Sequence, residues 1–81
     1  MEELLCIVQP FTVVQTIYKI NDNSSQEIAQ CSINNLTNTF LTLSKENNIK
    51  IIHLMGDFSF IEKFGEELKN TSSDITVYYN K

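Results

Sequence analysis

Apolar residues fall into two rhythms along this chain, and the changes of rhythm mark its elements. Residues 3–9 are nearly continuous in apolar character and end at Pro10, which lacks the amide donor a sheet interior requires; they read as a largely buried strand. Residues 11–20 are rich in β-branched and aromatic types and predict a second strand. The short polar side chains of Asn21, Asp22, Asn23, Ser24 and Ser25 then form a turn, because they satisfy nearby backbone groups themselves. Residues 26–31 return as a third, weaker strand, so the chain is expected to open with an antiparallel meander.

From Ser32, a candidate N-cap, the period changes. Ile33, Leu36, Phe40, Leu43 and Asn47 recur at 3-4-3-4 spacing, the apolar stripe of an amphipathic helix ending near Asn47 and Asn48. Residues 49–55 are the most hydrophobic run and suit a central strand parallel to the first. Beyond Gly56 and Asp57, the Ser59 and Glu62 pair has the spacing of a capping box. Ile61, Phe64 and Leu68 give the helix that follows, near residues 59–69, a buried face. Residues 70–73 read as a loop and residues 75–79 as a closing strand. The expected order is β-β-β-α-β-α-β: a single α/β domain, residues 1–81, with a mixed five-stranded sheet.

Composition narrows the chemistry. Eighty-one residues are near the size at which one core just suffices. Net charge is −4, all six basic residues are Lys, and none of them cluster. Without an arginine fork or a basic stripe, no nucleic-acid partner is expected, and acidity disfavours anionic membranes. The first residues lack the basic region of a signal peptide, and no apolar run would span a bilayer. A cytoplasmic setting is therefore expected. The Asn, Ile and Lys bias without Arg points to an AT-rich genome, bacterial or phage.

The element order resembles that of the ribonuclease H-like fold, shared by nucleases, resolvases and the halves of actin-like ATPases. The resemblance implies the spatial strand order 3-2-1-4-5. In that family an acid sits in the first strand; here the comparable residues 6–14 read CIVQPFTVV, with Gln9 or a neighbour in its place. The stretch IIHLMGDFSFIEKF, residues 51–64, is similar to the strand-glycine-helix segment near the nucleotide in actin-like ATPases, with Gly56-Asp57 where that family has two glycines. Residues 32–45 hold no acid, and only Asp57 stands where a family carboxylate is expected. Two-metal hydrolysis needs several carboxylates, so neither a catalytic role nor a cofactor or metal is expected.

Two readings of Gly56, Asp57 and Ser59 follow. They could hold a small ligand or nucleotide at a helix N-terminus, or they could form a tight corner. The corner is preferred, because Asp57 would repel a phosphate without a bridging cation. His53 is the only histidine and has no partner at metal-ligand spacing. Cys6 and Cys31 fall on the first and third strands, too far apart for a disulfide, and are expected to stay reduced. Glu62, Glu66 and Glu67 read as a solvated helix face. The expected function is a small non-catalytic protein-interaction module, meeting a protein partner or forming a homodimer through Phe58, Tyr78 and Tyr79. The alternative is a small-ligand domain at the Gly56-Asp57 turn.

Overall fold

A computed structural model describes residues 1–80. Its strands are β1 (Glu3–Ile7), β2 (Val14–Ile20), β3 (Ser25–Ser32), β4 (Ile51–Met55) and β5 (Thr76–Asn80). The helices are α1 (Leu36–Asn47), entered through a 3-10 turn at Ile33–Asn35, and α2 (Phe58–Thr71). One mixed sheet runs in the order β3-β2-β1-β4-β5. β1 pairs antiparallel with β2, and β2 with β3; β1 and β5 both lie parallel to β4. Residues 51–55 thus occupy an interior position, where a strand apolar on both faces belongs.

Register sorts the side chains into two faces. Cys6 lies beside Ile17 and Leu54, and Ile52 lies between Leu4 and Val77. All six are buried and meet Phe40 of α1 and Ile61 and Leu68 of α2 in one core. The helix layer occupies this face, with Thr37 Oγ1 donating to Glu67 Oε2 across the two helices at 2.8 Å. On the opposite face a row crosses the whole sheet, Glu27–Tyr18–Leu5–His53–Tyr78. None of these five is buried, because no helix covers that side.

Element boundaries depart from the sequence pattern where side chains take over backbone roles. β2 begins at Val14 rather than at residue 11, because residues 8–13 form a clamped loop described below. Asp57, and not Ser59, caps α2: its carboxylate accepts from the Ser59 amide at 3.0 Å, so the Ser59–Glu62 spacing is not a capping box. Residues 70 and 71, expected in a loop, extend α2. Ser32 makes no side-chain cap; it precedes the 3-10 turn instead. At the far end of α1, Asn48 adopts left-handed backbone, φ 54°. Such a conformation suits Asn, and the buried Ser44 hydroxyl donates to the Ile49 carbonyl to fix the exit.

Gly65 permits a closer approach than any other residue type would. A Cβ there would sit 2.0 Å from the Tyr79 hydroxyl oxygen, so β5 and α2 meet only because the side chain is absent. The same Tyr79 hydroxyl is buried with no hydrogen-bond partner among the described residues. Alanine normally gains helix stability over glycine, but here overpacking outweighs the gain. Gly65→Ala is expected to lose about 1–3 kcal/mol in urea unfolding. Tyr79→Phe removes an unpaired buried polar atom and is expected to be neutral or to stabilise by up to about 1 kcal/mol.

Candidate functional site

The β4–α2 corner is built by packing and capping. Gly56 has φ +134°, a region unfavourable to residues with a Cβ, and an added Cβ would lie 3.0 Å from the Val8 carbonyl oxygen. Its N–H donates to the Asn80 carbonyl at 2.9 Å, tying the corner to β5. The Ser59 amide and hydroxyl both donate to Asp57 Oδ1. These bonds hold the Asp57 carboxyl below its ordinary value, the Ser59 hydroxyl contributing most. Gly56, Asp57 and Ser59 are thus adjacent, and the hydrogen-bonding capacity of Asp57 is directed at its own helix.

The three aromatic candidates separate. Tyr79 turns to the helix face beside Leu54 and packs edge-on to Phe58, ring centroids 5.4 Å apart. The Lys69 ammonium sits 5.3 Å from the Tyr79 ring centroid. Tyr79 therefore presents little surface. Tyr78 lies on the open face, half exposed, and stacks on His53 at 5.3 Å. Phe58 keeps part of its ring exposed at the start of α2.

His53 Nε2 is 2.6 Å from Glu3 Oε1. This contact engages one of the two ring nitrogens and ties β4 to β1 across the open face. Cys6 is buried under the helix layer, and Cys31 is partly exposed; both are free. Burial, reinforced by the neighbouring Cys31, pushes the Cys6 thiol up to about 12. A thiol so protonated is a poor nucleophile. Among the described residues, no group of three His, Cys, Asp or Glu side chains is placed to hold a metal ion.

The largest apolar display comes from a segment the sequence pattern reads only as strand. Phe11 is 99% exposed and Val13 79%, at the tip of the β1–β2 hairpin. The loop beneath them is organised by Gln15, whose side chain is 1% exposed within the core layer. Gln15 Oε1 accepts the Gln9 N–H at 2.8 Å, and Nε2 donates to the Gln9 and Thr12 carbonyls at 2.7 and 3.1 Å. One buried amide replaces several ladder bonds and holds the loop open. Beside it, on the open face, a hollow of about 100 Å3 is lined by Ile7, Gln9, Val14, Gln15, Thr16 and Tyr18. The sequence signal was present: residues 4–18 contain no charged side chain, and Gln15 stands two residues before the inward Ile17.

Compared with known proteins, the chain matches no family and no curated protein. Among the described residues, no helix is long and apolar enough to cross a membrane.

Two outcomes test this site chemistry. In the native protein a disulfide reagent should find one fast thiol, eliminated by Cys31→Ser, while Cys6 reacts only on unfolding. Because the Cys6 value is higher folded than unfolded, the unfolded chain loses its proton first. Stability should therefore fall as pH rises from 9.0 towards about 12, and Cys6→Ala should remove that slope. For Asp57 the sign is opposite. Its folded value is depressed, so the stabilisation present above the ordinary carboxylate range is lost as pH falls through the folded value. Carboxyl titration by NMR should show Asp57 rising towards the ordinary range in Ser59→Ala.

Proposed function

We propose that this chain is a small, non-catalytic protein-interaction module whose uncovered sheet face is its docking surface. The observation that carries the reading is the one-sided helix layer. It leaves Leu5, Tyr18, His53 and Tyr78 in a continuous row, with Ile7 and Val14 about half exposed at one end. A cluster of aromatic and aliphatic side chains on an uncovered sheet face has the composition of a protein interface. The strand order supports a ribonuclease H-like arrangement whose expected carboxylates are missing. Residues 6–14 and 32–45 hold no acid, Glu3 at the start of β1 is engaged by His53, Glu46 lies at the far end of α1, and Asp57 serves as a helix cap. The reading is thus of a scaffold used for contact rather than for chemistry. A cytoplasmic setting is proposed with it, supported by the two free thiols.

Leu5→Lys places a charge at the centre of the row while leaving the helix-face core intact. Immobilised wild-type chain should retain a protein partner, its own copy included, and folded Leu5→Lys should not. Equal retention by both overturns the reading. Thermal unfolding with a panel of nucleotides, with and without magnesium, should show no gain. A magnesium-dependent gain abolished by Asp57→Asn would instead make the Gly56-Asp57-Ser59 turn a ligand site.

A further inference from the structure

We infer that the open face is completed by a second copy of this chain, each copy inserting Phe11 into the hollow beside the other's β1–β2 hairpin. The inference rests on the reading of that face as a docking surface and names its occupant.

Preorganisation comes first. An aromatic side chain at 99% exposure is ordinarily carried on a mobile loop, but here the buried Gln15 amide fixes both ends of residues 9–12. Presenting a ring on a fixed loop removes much of the ordering cost of binding, which is how anchor residues gain affinity. The receiving shape lies on the same molecule. The hollow of about 100 Å3 is bounded by Ile7 and Val14, the two stems from which the Phe11 loop projects, and by Thr16 and Tyr18. The hollow is smaller than the ~150 Å3 apolar cavity that holds benzene, so it takes part of one ring and leaves the rest against its rim. The Gln15 amide in its wall is already hydrogen-bonded to the loop, so covering it leaves that buried amide paired.

Adjacency of ring and hollow selects the symmetry. A two-fold axis passing between them carries each Phe11 over the partner's hollow, an isologous contact in which both insertions form together. Charge selects the copy. Two chains of net charge −4 repel, yet residues 4–18, which supply the ring and the hollow, contain no charged side chain. At the hairpin an acidic chain can meet itself without opposing carboxylates, Glu3 and Glu27 of the open face lying outside residues 4–18. Area sets the strength. From sheet spacings the open face measures about 24 by 17 Å, roughly 400 Å2 in projection. With both loops, total buried surface is on the order of 1,000 Å2, the lower bound of a specific interface. The dimer should therefore be reversible.

Sedimentation equilibrium of the full chain across micromolar to millimolar concentration tests this. Wild type should move reversibly from one chain mass, 9.3 kDa, to twice that value. Phe11→Ser should weaken association at least tenfold, with an unchanged thermal midpoint at dilutions where both proteins are monomeric, because the ring makes no core contact. Phe11→Leu should retain part of the association, and Thr16→Lys, which obstructs the hollow from a partly exposed position, should abolish it. Wild type that stays monomeric at millimolar concentration overturns the inference, as does a dimer indifferent to both Phe11→Ser and Thr16→Lys. Retention by wild type but not by Leu5→Lys is measured separately. A monomeric chain that still retains another protein through the open face would defeat the second-copy inference alone.

Discussion

A five-stranded sheet has two faces to cover, and this chain carries helices for one. Leu4, Cys6, Ile17, Ile52 and Leu54 are fully shielded because Phe40, Ile61 and Leu68 descend on them from α1 and α2. Every other feature follows from that one-sided burial. The Tyr79 ring of β5 must fit beneath α2, which requires the missing side chain at Gly65. The parallel β1–β4 pair must turn sharply into α2, which requires the unusual backbone of Gly56. The second face is left with Leu5, Ile7, Tyr18, Met55 and Tyr78 in partial contact with water. For a chain this small, with much surface for its core, an uncovered apolar sheet face is the main free energy still to be gained.

Periodicity made most of the fold legible. The 3-4-3-4 stripe through Leu36 and Phe40 locates α1, and the dense apolar run at Ile51 and Ile52 locates an interior strand. Residues 11–13 were misread as strand for an instructive reason. Phe, Thr and Val have high sheet propensity, but propensity describes fit to a pleated neighbour, and the neighbour here was replaced by the Gln15 side chain. A glutamine at an inward position is ambiguous in sequence; only the folded loop shows which carbonyls it meets. The start of α2 was shifted for a similar reason. Asp57 and Ser59 are both good caps, and the competition is settled by Gly56, whose backbone places Asp57 at the boundary.

The candidate site was legible only in fragments. Gly56, Asp57 and Ser59 are close in sequence and remain close in space, so their pattern was visible, but Asp57 and Ser59 bond to each other and the Gly56 N–H goes to Asn80 of β5. The aromatic pair at the C-terminus was visible too, yet strand alternation sends Tyr78 and Tyr79 to opposite faces, one to the open row and one beneath α2. Which parity faces the helices cannot be read from β5 alone; it follows from the pairing of Val77 with Ile52. The Tyr18–Leu5–His53–Tyr78 row spans four strands, and no local pattern encodes such a row. It emerges only when register is fixed.

On the function proposed above, the open face, centred on the β1–β2 hairpin, is the surface this chain uses for contact, first of all with its own copy. Amide spectra recorded from dilute to millimolar protein test it most directly, because they locate as well as detect association. Concentration-dependent shifts are expected in residues 7–18, strongest around Phe11, Val14 and Thr16, and extending to His53. The outer surfaces of α1 and α2 should be silent. Shifts confined to the helices or to the free edge of β3, or spectra unchanged across the whole range, would contradict the account.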